Sequence, residues 1–276
     1  ASGGDVPGVP ANENPAEVIN LSLGGASACN AVYQEAIDIA VANGSTVVVA
    51  AGNSNANAAN SRPASCNNVI AVGATRITGG KASYSNWGDV IDLSAPGGGG
   101  SADPGNGGWD GFILQAASNA PTTADTGNYT YMGYIGTSMA APHVAAVTAL
   151  VQSALVAAER DPLTPAEMET LLKDTARAFP VSIPASTPMG AGIVDPEKAL
   201  EVALAEPCDP EVEECTPPAT MLANKVPVRG LSGGAGSEVL YAIEVPAGVS
   251  GPLSITTSGG SGDVSMFVSL DEEPFA

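Results

Sequence analysis

The chain has 276 residues, 44% hydrophobic and 14% charged, with 33 Gly and 22 Pro. That suits one full-size domain with a buried core plus a smaller module, and excludes a wholly disordered chain. Nine Lys and Arg against 29 Asp and Glu leave a net charge of −20, which disfavours nucleic acid and anionic membrane surfaces and suits extracellular or salty water. No apolar run reads as long enough to span a bilayer. Ala1 opens into loop-like Ser2-Gly3-Gly4 with no signal peptide and no initiator Met, so the start is expected to be a cut inside a longer precursor.

In chain order, Val18-Ile19-Asn20-Leu21 is expected to be a buried strand that turns at Ser22-Leu23-Gly24-Gly25. Val32, Ala36, Ile39 and Asn43 fall at helical spacing, and Asn43-Gly44 ends that helix. Thr46 to Ala51 is a continuous apolar run rich in β-branched residues, as in a central parallel strand. Val69-Ile70-Ala71-Val72 and Val90-Ile91-Asp92-Leu93 repeat that pattern. Strands alternating with helices predict βαβ units and a mostly parallel sheet. Residues 97–134 read as a long irregular insertion. From Ser138 to about Ala158 the sequence is apolar almost all round, as in a buried helix. Thr164-Pro165-Ala166-Glu167 is a capping box opening a helix to about Ala178, and Asp195-Pro196-Glu197 starts another.

Composition shifts near Glu206 into a Pro- and Glu-rich stretch. The expected organisation is a first domain over 1–205, a linker over 206–220 and a small β module over 221–276, whose few strands suggest it is cut short. Four cysteines with a single His and no CxxC argue against zinc and for disulfides in an oxidising compartment. Cys208 and Cys215 flank an acidic hexapeptide and are expected to pair locally, leaving Cys29 with Cys66.

The strongest chemical signal is Gly136-Thr137-Ser138-Met139-Ala140-Ala141-Pro142-His143. It places a Ser where a Gly-containing loop enters an apolar helix, so its hydroxyl sits among outward N–H groups that favour developing negative charge. That suits acyl transfer, with Ser138 attacking and nearby N–H groups receiving the oxyanion. A plain N-cap Ser fits the spacing as well. Asn53 follows the apolar strand and Gly52, where a side-chain amide can donate to an oxyanion or simply form a turn.

GTSMAAPHV resembles the nucleophile motif of the subtilisin-like serine proteases, and VVVAAGN, residues 47–53, resembles the strand of that family ending in its oxyanion asparagine. The resemblance runs from about residue 16 to 204 and includes Val69 to Ala74 and Ala95-Pro96-Gly97. It implies a three-layer α/β fold with a mostly parallel sheet, incomplete at the N-terminus. It implies that Ser138 and Asn53 are catalytic and that His143 is structural. Ser22, Leu23, Gly24 and Gly25 match one wall of a substrate pocket, Ala50, Ala51 and Gly52 the opposite wall, and Ser61 the floor. Thr137 joins the substrate-contacting set, and Arg62-Pro63 is expected to be cis. The acid and base of the family precede these motifs. Asp5 matches neither, and no second His exists, so the triad Asp and His are expected to be absent, leaving this chain inactive by itself.

Asp92 inside an apolar run is costly unless paired. With the resemblance, this gives an expected Ca2+ site from the Asn67 and Val69 carbonyls and the Asp92 carboxylate, the alternative being that Asp92 simply accepts backbone N–H bonds. Residues beyond Leu222 resemble a bacterial pre-peptidase C-terminal β-sandwich. The implied protein is a secreted endopeptidase acting on proteins or peptides, monomeric when joined to its missing N-terminal half. An inactive homologue that grips peptides by strand addition at Ser22–Gly25, or one chain of a two-chain assembly, are the alternatives. No HExxH is present, and Ser138 is followed by Met139-Ala140, so its motif is not a lipase-type GxSxG.

Overall fold

Four short parallel strands and four helices carry the structure, a computed structural model that describes residues 8, 10, 12–103, 111–118, 127, 129–205, 220–222 and 241–242. The strands are β1 (Val18–Leu21), β2 (Thr46–Ala50), β3 (Ile70–Thr75) and β4 (Leu93–Pro96), hydrogen-bonded in the order β1-β2-β3-β4. Val18 pairs with Thr46, Val48 with Ile70, and Val72 with Leu93. The helices are α1 (Ala31–Ala42), α2 (Thr137–Ala157), α3 (Pro165–Asp174) and α4 (Pro196–Leu204).

Every residue of β2 is buried, because both neighbouring strands and both faces cover it. Its alternation divides the core. Val48 and Ala50 pack with Val144, Val151 and Leu155 of α2 and with residues of α3 and α4. Val47 and Val49 pack with Ile37 and Ala40 of α1. The sheet therefore lies between two helical layers, the three-layer α/β arrangement expected from the sequence. The chain divides into two compact units, Ala1–Asp209 and Pro210–Ala276. In the second, β7 (Thr220–Met221) pairs in parallel with β8 (Tyr241–Ala242). The Cys208–Cys215 pairing, most of the 206–220 segment and the sandwich resemblance lie outside the described residues.

Local signals explain the helix ends. Asn30 caps α1 through its side chain, and Gly44 at φ +87° takes the chain out. Thr164 and Glu167 form a reciprocal capping box on α3, and Asp195 caps α4 ahead of Pro196. Cys29 and Cys66 are disulfide-bonded, tying the entry of α1 to the segment before β3. The Arg62-Pro63 peptide is cis.

Several expectations are corrected. The helical spacing locates α1 but picks its outer side: Val32 is 76% exposed and Ile39 is exposed, whereas Ile37 and Ala40 are buried. The strand expected at 90–93 starts three residues later, because Gly88 to Ile91 closes as a turn. The helix expected to reach Ala178 stops at Asp174, where Arg177 instead pairs antiparallel with Ile193. The 97–134 segment holds an antiparallel pair, β5 (Ile113–Ser118) with β6 (Tyr129–Tyr134). The helix from Thr137 to Ala157 is, by length and composition, long and apolar enough to cross a bilayer, contrary to the expectation of no such run. Half of its most apolar stretch is buried in the core, and on its other side Leu150 and Val156 (59%) are exposed.

Candidate active site

β1 and β2 both end where α2 begins, and that convergence assembles the site. Beyond β2 the chain passes Ala51 and turns at Gly52, φ +105°, to present Asn53. Asn53 Oδ1 accepts two hydrogen bonds, from Thr137 N–H at 2.8 Å and Thr137 Oγ1 at 2.9 Å. Thr137 Oγ1 in turn accepts from Gly52 N–H at 3.1 Å. A backbone N–H can only donate, so these bonds fix which end of the amide is oxygen.

Gly136 precedes α2 at φ +151°, a conformation that favours glycine. A Cβ there would lie 3.5 Å from Asn53 Nδ2 and 3.6 Å from Ser138 N. Both donors thus border one small space at a helix N-terminus, where negative charge is favoured. Ser138 and Ser22 clasp each other. Ser22 Oγ donates to the Ser138 carbonyl at 2.8 Å, and Ser138 Oγ donates to the Ser22 carbonyl at 3.3 Å. The nucleophile candidate is therefore half-buried, with its hydroxyl directed at the end of β1.

The structure brings Ser22, Gly52, Asn53, Thr137 and Ser138 together through these bonds. Leu23 is exposed beside them. Gly25 pairs with Arg62 in both directions, at 2.9 and 3.0 Å, so the Ser22–Gly25 segment lies against the Asn60–Pro63 stretch. The side chains of Ala50 and Ala51 are buried in core clusters, so what they can offer a ligand is backbone. His143 Nδ1 donates to the Met139 carbonyl at 2.7 Å, within its own helix. Among the described residues no imidazole bonds to Ser138.

One residue the sequence did not single out is Asn86, which is 1% exposed and bonded to Ala51, Gly52, Ser54, Ala56 and Ser61. Its partners lie 25 to 35 residues away, so no local pattern could reveal it.

The expected metal ligands lie elsewhere, around the start of β3. Asp92 Oδ2 accepts from Ala71 N–H at 2.7 Å, and Oδ1 stands 3.4 Å from Lys173 Nζ, a partner 81 residues away in sequence. Burial pushes the Asp92 carboxyl up to about 6, against the lowering effects of the Ala71 N–H and Lys173. The Asn67 carbonyl accepts from Gln34 Nε2 at 3.2 Å. Among the described residues no three His, Cys, Asp or Glu side chains gather as a metal cluster, so any cation here would depend on carbonyls and one carboxylate. That hard-oxygen set fits Ca2+ chemically, and the buried carboxylate gains from added positive charge.

The sequence profile of the subtilase family matches residues 8–202. An extracellular protease of Xanthomonas campestris is 48% identical over 254 residues, covering 92% of this chain and 39% of that protein. An extracellular basic protease of Dichelobacter nodosus is 38% identical, covering 75% and 31%. A solved protease structure from Pseudoalteromonas arctica superposes with a TM-score of 0.64 at 44% identity, covering 73% of this chain and 56% of that one. The chain thus spans about a third to two fifths of the two curated relatives' length.

Proposed function

Because the chain belongs to the subtilase family, we propose that it is the nucleophile-bearing part of a secreted serine endopeptidase. Ser138 Oγ attacks a peptide carbonyl, and the developing oxyanion is received by Ser138 N–H and Asn53 Nδ2. The reading rests on one observation: the double anchoring of Asn53 Oδ1 by Thr137, which turns Nδ2 to the space that Ser138 N also borders. Donors fixed before reaction need no reorganisation when charge appears. Loss of Asn53 should cost about 10²–10³ in kcat, a size taken from subtilisin's own asparagine donor.

The general base and its acid partner come from residues outside this chain, which dock against β1. Among the described residues β1 pairs on one side only, and it is partly buried whereas β2 and β3 are wholly so. Parallel strands normally have neighbours on both sides and cover on both faces. The exposed apolar side of α2, with Leu150 and Val156, points the same way. Protein or peptide substrates would lie along Ser22–Gly25, with the backbone of Ala50–Gly52 opposite and Ser61 at the floor. The Asn67, Val69 and Asp92 oxygens would hold a structural Ca2+, which would offset the cost of burying the Asp92 charge. Residues 221–276 would form an accessory pre-peptidase C-terminal module after a 206–220 linker. Export is supported by the two relatives named as extracellular and by the disulfide.

The test is to read the gene upstream of Ala1, express the whole open frame, and compare it with this chain on casein. The whole product should be active, its Ser138→Ala form should fall to the residual rate, roughly 10³–10⁴-fold over water, and this chain alone should be inactive. Casein hydrolysis by this chain alone would show that the base is not missing. Activity surviving Ser138→Ala would remove Ser138 from the mechanism.

A further inference from the structure

Asn53 is exposed, and a solvent-facing loop amide is a poor oxyanion donor unless something holds its backbone. The holding group is Asn86. Its Oδ1 accepts from Ser54 N–H and Ala56 N–H, both at 3.0 Å, and its Nδ2 donates to the Ala51 carbonyl and to Ser61 Oγ, both at 2.9 Å. Its backbone N–H donates to the Gly52 carbonyl at 2.9 Å. The side chain thus uses two donors and two acceptors, the full capacity of an amide. Four of these five partners bracket Asn53 in sequence, two before it and two after. The fifth, Ser61, lies in the proposed pocket floor.

Asn86 is itself anchored from below. Ser85 Oγ accepts from Ala74 N–H in β3 at 3.0 Å and donates to the Asn86 carbonyl at 2.9 Å. Packing closes the unit, since a Cβ on Gly52 would collide with Asn86 Nδ2. A mechanical line therefore runs from β3 through Ser85 and Asn86 to the Asn53 backbone. From there Thr137 carries it to the start of α2 and Ser138. At 1% exposure Asn86 does not reach a substrate.

We propose that Asn86 is a positioning residue for acyl transfer: it sets where Asn53 Nδ2 stands relative to Ser138 N, and couples that placement to Ser61. The inference rests on the assignment of Asn53 as oxyanion donor. A donor displaced by about 1 Å loses on the order of 10²-fold in rate, because its bond matters only where the oxyanion forms.

The experiment uses the whole open-frame product and a double-mutant cycle on kcat and KM. Asn86→Asp keeps shape and both acceptors but removes the two donors to Ala51 and Ser61. It should lower kcat by roughly 10–10²-fold with a much smaller change in KM. In an Asn53→Ala background the same substitution should lower kcat by less than about 2-fold, because the group it positions is gone. Losses that multiply in the double variant would overturn the inference and leave a merely structural Asn86. If Asn86→Asp shows no cooperative melt, Asn86→Ser, which retains one donor, goes through the same cycle under the same criteria. An inactive wild-type product, or full activity in Asn53→Ala, would instead overturn the parent reading of the site, and the inference with it.

Discussion

Gly52→Ala tests the contact on which the site is built, and needs no peptidase activity. Two costs follow from the structure. The backbone at Gly52 has φ +105°, a region in which a side chain costs about 1–3 kcal/mol. The new Cβ also collides with Asn86 Nδ2. That amide is buried, so pushing it aside breaks its bonds to Ala51 and Ser61 and strands a donor, at about 1–3 kcal/mol. Together the loss is about 2–6 kcal/mol, a large share of a domain stability of roughly 5–15 kcal/mol. With a urea slope of roughly 2 kcal/mol/M, the unfolding midpoint of this chain should fall by about 1–3 M. Gly44→Ala is the internal control. It too has positive φ, +87°, but nothing lies within 4 Å of its Cβ, so it should show strain alone, about 1–2 kcal/mol. Equal midpoints for the two variants would refute the reasoning, since the collision would then contribute nothing.

Replacing Cys29 and Cys66 by Ser should destabilise the chain by about 4 kcal/mol, from the loop entropy of a 37-residue separation; a loss under about 1 kcal/mol in urea unfolding would contradict it. Burial, aided by the Asp103 charge, raises the Tyr84 phenol to about 12, while the Gly97 and Gly98 carbonyls, each 2.7 Å from its oxygen, share its single O–H proton. The folded chain therefore holds that proton after the unfolded chain has lost it, so the contribution is whole below about pH 10 and disappears as pH rises through about 12. Tyr84→Phe should flatten that alkaline decline, and an unchanged decline would reject the assignment. Calcium should raise the melting temperature of this chain and not that of Asp92→Asn; identical calcium responses would place the ion elsewhere or nowhere.

How much could be read from the sequence depended on the range of each interaction. β2 and the Ser138 motif were legible because their signals are contiguous: a β-branched run, and a Gly-Thr-Ser turn entering an apolar helix. The capping box at Thr164 and Glu167 was legible for the same reason. The exposed side of α1 was misjudged because 3.6-residue spacing finds a stripe without saying which stripe meets the sheet. β4 was placed too early because Val90-Ile91-Asp92 looks like strand while Gly88 closes a turn around it. The β5–β6 pair was hidden by its Gly-rich surroundings. Asn86 and the approach of Lys173 to Asp92 depend on partners far away in the chain, and no local pattern encodes them.

Among the described residues β1 pairs on one side only, and that bears on how this chain would behave in a tube. A row of unpaired N–H and C=O groups on a short parallel strand is a template for any other extended segment, including the same strand of another copy. Dilute samples would keep that edge hydrated. As concentration rises, self-association through β1 would grow, and the exposed apolar side of α2 would add to the drive. Refolding yield would then fall with protein concentration even while the β2–β3–β4 core forms normally.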